Sequence, residues 1–173
     1  PGSIWRDMFV IGDYAYVGTE GGGGIQIVDI SDPTDPTLVS TYNTTVGNSH
    51  NIFGDPARNL LFVVGGYQNT NNGGLQILDV SNPVAPVEIA QWDNQYIHDM
   101  SIEGNIAHLN LISADRFRML DLTTPSAPGN HGSNWNDPNG APHASWPVGD
   151  GVHVVMAEEN NGGHIKILDV STP

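Results

Sequence analysis

One six-residue phrase occurs four times in this chain, at residues 25–30, 75–80, 117–122 and 165–170. Each copy continues into Ser or Thr and then a proline, and each contains an aspartate at its fifth position. Successive aspartates, Asp29, Asp79, Asp121 and Asp169, are 50, 42 and 48 residues apart. A period of this length is typical of propeller blades and not of a single folded core. The chain is therefore predicted to be an array of similar units.

Each repeat consists of short apolar runs separated by turn residues, a pattern that predicts an all-β fold. We predict one partial β-propeller over residues 1–173, built of about four blades of four antiparallel strands. The predicted blades cover about 1–47, 48–95, 96–140 and 141–173. The fourth repeat reaches Pro173 before an outer strand, so we expect part of the ring of a longer propeller. The outer strand of the third repeat, near 130–135, is polar and is expected to be loosely held.

The charge balance excludes some partners. Nineteen acidic residues against five basic ones give a net charge of −14, with a single lysine. This balance would repel nucleic acid, because phosphate binding needs clustered Lys or Arg, and it would attract divalent cations. No apolar run approaches the roughly 18–20 residues that span a bilayer, so no transmembrane segment is expected in this chain. A cysteine-free, acidic, Gly-rich sequence favours a secreted or cell-surface bacterial protein.

The repeated aspartate is interpreted as a structural residue. It lies at the end of the third strand, two residues before the turn whose proline fixes φ, where a carboxylate can accept backbone N–H bonds. Repeated sequence in arrays usually encodes the fold. We therefore predict four turn clamps and not four catalysts.

A second set of equivalent positions lies at the start of each first strand, and it contains Arg6, His50, His98 and His143. The three histidines are 48 and 45 residues apart, which is the blade period, so they are predicted to converge on the central channel. Arg6, His50 and His98 are each followed by a polar residue. These residues are Asp7, Asn51 and Asp99. Three interpretations stay open: structural residues that fill the channel, a transition-metal site, or an organic-anion site that uses the Arg6 guanidinium.

A weaker candidate site consists of carboxylates that end second strands, Glu20, Glu158 and Glu159. With Asp32, Asp35, Asp137 and Asp150 they offer hard oxygen ligands for calcium, although no segment matches the twelve-residue calcium loop. The remaining histidines share no register across the repeats and are interpreted as strand or loop residues. They are His108, His131, His153 and His164.

The phrase Leu-x-Ile-Leu-Asp-Val-Ser-Asn-Pro at residues 75–83 resembles the LVIVD repeat of bacterial surface β-propellers. The ordered motifs resemble the choice-of-anchor B family: Trp5-Arg6-Asp7, residues 12–17 with Glu20, Ser49-His50-Asn51, His98-Asp99, and His143 with Trp146 and Glu158. The resemblance implies a propeller at the cell surface, with further blades and an anchor after Pro173, and it implies no defined reaction. The glycines at 21–24 stand where family members often carry a histidine.

Three functions are consistent with these patterns. The first is a secreted or cell-surface, non-catalytic interaction or structural module with protein or glycan partners. The second is a metal-binding protein or metal-dependent enzyme whose channel site contains His50, His98 and His143. The third is a subunit of an extracellular filament or surface layer, and thus a homo-oligomer. The sequence contains no cysteine and no Gly-x-Ser-x-Gly motif, so no catalytic residue is predicted.

Overall fold

The computed structural model describes residues 4–67 and 70–171. The strands of the first two repeats are β1 Trp5–Ile11, β2 Tyr14–Thr19, β3 Ile25–Asp29, β4 Thr37–Tyr42, β5 Asn51–Asp55, β6 Leu60–Val64, β7 Leu75–Asp79 and β8 Val87–Trp92. Those of the last two are β9 Asp99–Glu103, β10 Ile106–Leu111, β11 Arg116–Asp121, β12 Gly129–Asn136, β13 Pro142–Pro147, β14 His153–Glu158 and β15 Ile165–Asp169. A short 3-10 helix, Ile112–Ala114, joins β10 to β11. Within the described ranges no helix has the length and apolar character needed to cross a membrane.

Each sheet is an antiparallel meander of consecutive strands. The first sheet contains β1–β4, the second β5–β8 and the third β9–β12, while the fourth contains β13–β15 in the described part of the chain. The prediction of an all-β chain with antiparallel blades is confirmed. The polar outer strand of the third repeat does form, because β12 pairs with β11 and its Trp135 packs edge-on against Phe117 at 5.6 Å between ring centroids.

Two compact units follow one another along the chain, Pro1–Asn94 and Gln95–Pro173. In the first unit β1 lies against β5, and side chains of both sheets pack around the fully buried Tyr16. In the second unit β9 lies against β13, and the core between the sheets contains Phe117 and Met156. Each unit is thus a pair of sheets whose first strands are neighbours, as in adjacent propeller blades. The predicted blade limits and the single domain over residues 1–173 stay predictions.

The repeated aspartates stabilise the turn after each third strand. In every copy the Oδ1 atom of the aspartate accepts a hydrogen bond from the backbone N–H of the residue two positions later. The four pairs are Asp29 with Ser31 at 2.9 Å, Asp79 with Ser81 at 2.7 Å, Asp121 with Thr123 at 2.7 Å and Asp169 with Ser171 at 2.9 Å. Hydrogen bonds from these Ser and Thr residues hold the pKa of each aspartate below its usual value. The predicted turn clamps are confirmed.

Candidate metal centre

Three potential metal ligands meet in the second unit. His98 immediately precedes β9, His143 lies in β13, and Glu159 immediately follows β14. One ligand atom from each side chain lies within 4.8 Å of the other two. The imidazole rings of His98 and His143 are 4.4 Å apart between centroids, and His143 Nε2 lies 3.5 Å from Glu159 Oε2.

The backbone places these three side chains. His98 donates its N–H to the carbonyl of Asn110 at 2.9 Å, which fixes its position beside β10, and Glu159 donates its N–H to the carbonyl of Ala141 at 3.0 Å. The pairing of β13 with β14 shifts register between Pro142 and Ala144. A bulge of this kind changes the direction of the side chain within it, and here that residue is His143.

The spacing is close to that of a tetrahedral ion. Zinc bonds of about 2.0–2.1 Å put neighbouring ligand atoms about 3.3 Å apart, so the 3.5 Å between His143 and Glu159 already fits. The other separations are at most 4.8 Å, so the ligand atoms need to close by no more than about 1.5 Å, which one rotamer adjustment of the exposed Glu159 or of an imidazole can supply. Both histidines are half-buried, so one face of the cluster is open to solvent.

The first unit contains a related but different arrangement around Glu20. The Arg6 guanidinium donates to Glu20 Oε2, which lies 2.7 Å from Arg6 Nε and 2.5 Å from Arg6 Nη2. His50 Nδ1 donates to the other carboxylate oxygen, Glu20 Oε1. Burial alone would raise the pKa of Glu20, but the hydrogen bonds from His50 and Arg6 outweigh it and lower that pKa. The sequence had predicted Arg6 and His50 at equivalent positions, and in the structure one carboxylate joins them.

The predicted convergence of His50 with His98 and His143 involves both units and stays a prediction. Two of the neighbouring polar residues have a local role, because Asp7 Oδ1 accepts the N–H of Met8 at 2.8 Å and Asp99 Oδ1 accepts that of Met100 at 2.7 Å. Asn51 is the first residue of β5.

Glu158, a weak metal candidate from the sequence, lies in an ion-pair network. Its side chain is only 3% exposed and contacts Lys166, while the backbone N–H of His164 donates to it at 2.7 Å. The hydrogen bond from Lys166 lowers the pKa of Glu158 to about 2. Lys166 also contacts Asp137, another of the proposed calcium ligands. Glu159, the next residue, is the carboxylate that lies beside the histidines.

Two more of the proposed calcium ligands have local partners. Asp32 Oδ1 accepts a hydrogen bond from the backbone N–H of Thr34 at 3.0 Å, and Asp150 Oδ2 accepts one from His153 Nδ1 at 2.7 Å. Hydrogen bonds from His153 lower the pKa of Asp150 to about 2. Calcium binding at Glu20, Glu158, Asp32, Asp35, Asp137 or Asp150 stays a prediction.

Comparison with known families supports the repeat assignment. The model described as LVIVD repeat matches residues 3–44 and 61–94, so the chain carries this repeat in its first two sheets. The sequence-based recognition of the LVIVD repeat is confirmed, whereas the resemblance to choice-of-anchor B proteins stays a prediction. No curated protein matches the sequence.

Several solved structures share the fold at low sequence identity. A chain of a nidogen/laminin complex is 13% identical with a TM-score of 0.65, and the match covers 92% of this chain and 56% of that one. A putative 6-phosphogluconolactonase from Bacteroides fragilis is 9% identical with a TM-score of 0.63, covering 95% and 55%. A functionally unknown protein from Desulfotomaculum acetoxidans is 12% identical with a TM-score of 0.64, covering 95% and 55%. These similarities show the β-propeller fold, and this chain spans about half the length of the chains it matches.

Proposed function

We propose that this chain is a β-propeller protein that binds a divalent transition metal at His98, His143 and Glu159. The observation that carries this proposal is the approach of one ligand atom from each residue to within 4.8 Å of the others. The two histidines come from the beginnings of neighbouring sheets, so the repeat itself brings them together.

The donor set favours zinc among the common metals. Two neutral imidazoles with one carboxylate form a mixed nitrogen and oxygen site, and one class of catalytic zinc sites uses the same three ligands. A tetrahedral ion bound by three protein ligands keeps one position for water or for a donor group of a partner. The net charge of −14 raises the local concentration of cations around the protein.

Equilibrium dialysis against zinc followed by elemental analysis tests this proposal. We expect one zinc per chain in the wild type, and loss of that zinc in His98→Gln, His143→Gln and Glu159→Gln. His164→Gln is the matched control, because His164 is an exposed histidine beside a different carboxylate, Glu158. Zinc that binds His143→Gln as tightly as the wild type would contradict the proposal.

We further propose that the protein acts outside the cell or at a bacterial surface. The absence of cysteine, the acidic composition and the LVIVD repeats support this location. Fractionation of the native host with an antibody against this chain tests it. Recovery of the protein in the cytosolic fraction alone would rule the location out.

A second candidate function is association through an apolar face of the fourth sheet. Ile165 and Ile167 in β15 are 77% and 70% exposed. The residues at equivalent repeat positions in the other sheets are fully buried or nearly so, and they are Ile25, Ile27, Leu75, Ile77, Phe117 and Met119. An apolar pair that is covered in three repeats and open in the fourth is suited to burial, either against a further sheet of a longer chain or against a second copy of this one.

Mass photometry over a wide concentration range tests this second candidate with a second copy of the chain as the partner. We expect the wild type to associate and the double variant Ile165→Thr, Ile167→Thr to remain monomeric. Threonine keeps a β-branched side chain in the strand while it removes apolar area. A wild-type chain that stays monomeric throughout would remove self-association as a function.

A further inference from the structure

The third sheet departs from the other three in one row of paired residues. The equivalent rows across the strands are Phe9–Tyr16–Ile27–Ser40, Phe53–Phe62–Ile77–Ala90 and Trp146–Val155–Ile167, whereas the third sheet has Ser101–His108–Met119–His131. Directly opposed residues in neighbouring strands share one face, with Cβ atoms about 4.5–5.5 Å apart. The aromatic and aliphatic row of the repeat is thus replaced by imidazoles and a thioether. Since the shared sequence of a repeat encodes the fold, a row that departs from the other sheets at all of its positions indicates a property of its own.

This row faces a cavity between the third and fourth sheets of the second unit. The cavity has a volume of about 200 Å³, and its lining includes His108, Met119, His131, Glu103, Gly151 and Val170. His108 is 2% exposed and Met119 is 1% exposed, so two of the three donors are buried. His108 also stacks on Phe117 with ring centroids 6.0 Å apart, which fixes the plane of its ring.

Two buried polar atoms of the row are unsatisfied. His108 Nδ1 and Ser101 Oγ have no hydrogen-bond partner among the residues that the structure describes. A buried polar atom without a partner costs folding free energy. At the two equivalent positions the other sheets have apolar side chains or Tyr16, whose hydroxyl donates to the Pro83 carbonyl at 3.3 Å. The polar row therefore needs a compensating role, and binding of a ligand supplies one.

We propose that His108, Met119 and His131 form a binding site for monovalent copper in this cavity. Thioether sulfur is a soft ligand that selects Cu(I), and imidazole nitrogen binds copper well. Metal-binding imidazoles and a thioether carry no charge, so bound Cu(I) adds only a single positive charge to a buried place. Calcium and magnesium are poor candidates, because they require oxygen ligands.

The site shares no residue with the His98, His143 and Glu159 cluster, and the two donor sets differ in softness. The cluster on the first strands has two imidazoles and a carboxylate, which suits Zn²⁺. The row in the third sheet has a thioether in place of the carboxylate. Failure of either site to bind its metal therefore leaves the other assignment intact.

Competition with a coloured Cu(I) chelator, under anaerobic reducing conditions at neutral pH, tests the proposal on the whole chain. We expect the wild type to take one Cu(I) per chain from the chelator. Loss of a partner that merely orients a ligand costs roughly 10–100-fold in metal affinity, so Met119→Leu should weaken Cu(I) binding at least about tenfold. X-ray absorption at the copper edge should show a sulfur neighbour in the wild type and none in Met119→Leu.

Met156→Leu is the matched control, because Met156 is buried in the same apolar cluster and does not line the cavity. It should bind Cu(I) as the wild type does. The triple variant His108→Phe, Met119→Ile, His131→Ala carries three of the four residues of the second sheet's row, Phe62, Ile77 and Ala90, so it should fold, as judged by circular dichroism, and lose the copper. Equal Cu(I) affinity in Met119→Leu and the wild type, or no copper taken by the wild type, would overturn the proposal.

Discussion

Burial of His108 predicts that the metal-free protein loses stability in mild acid. The imidazole is 2% exposed and is enclosed by Phe117, Met119 and His131, and Glu103 also lines its cavity. Burial, and then the neighbouring His131, lower the pKa of His108 from 6.5 to about 4. The folded protein therefore keeps this ring neutral at a pH where the unfolded chain already binds a proton.

The direction and the size of the effect follow from this difference in pKa. Between pH 6.5 and pH 4 the unfolded state binds more protons than the folded state, so the free energy of unfolding falls as the pH falls. The contribution is complete above pH 6.5 and is lost through that window. At about 1.4 kcal/mol for each pH unit, the loss amounts to about 3 kcal/mol.

Urea denaturation of the wild type and of His108→Gln, with a metal chelator present, measures this contribution. Glutamine keeps a neutral polar side chain and does not titrate. The difference in unfolding free energy between the two proteins should fall by about 3 kcal/mol from pH 7 to pH 4 in favour of the variant. Carboxylates titrate in both proteins and cancel in that difference. A difference that stays constant within about 0.5 kcal/mol would refute a neutral, buried His108.

Three further predictions concern the first unit and one control site. A Cβ atom on Gly66 would lie 2.1 Å from the carbonyl oxygen of Asn48, so Gly66→Ala should cost about 1–3 kcal/mol in thermal denaturation, while Gly129→Ala, in open space, should be neutral or slightly stabilising. Gln76 is buried and donates to the Thr45 carbonyl at 2.7 Å, so Gln76→Leu should cost about 1–3 kcal/mol of unfolding free energy by urea titration. Glu20→Gln should remove the part of the acid destabilisation that arises as pH falls through the lowered pKa of Glu20, and an unchanged acid transition would contradict the ion pairs with Arg6 and His50.

Much of the fold could be predicted from the sequence because the repeat is local. Turn residues at fixed offsets from an aspartate determine the clamp, so the roles of Asp29 and its equivalents were readable directly. The proximity of His98 and His143 was also predictable, since equivalent positions in neighbouring blades lie side by side.

The carboxylate of the proposed metal site was harder to predict. Glu158 and Glu159 are adjacent in sequence, and the choice between them depends on a bulge in β13 and on Lys166, which contacts Glu158. Repeat alignment shows neither feature.

A strand that is polar in sequence can likewise form when a single aromatic residue anchors it, as Trp135 does in β12.

The His108, Met119 and His131 row was missed because no other repeat has a histidine at the positions equivalent to His108 and His131. The three residues meet only through strand pairing within one repeat, where the lengths of two hairpins set which residues are opposed. A comparison of cross-strand partners, repeat by repeat, is the signal that would have found it.

The location of bound zinc tests the central claim most directly. Crystals of the whole chain grown with one equivalent of zinc should give a single anomalous peak at the zinc edge, within about 2.0–2.2 Å of His98, His143 and Glu159. Zinc found only at scattered surface carboxylates, with these three side chains unliganded, would contradict the account.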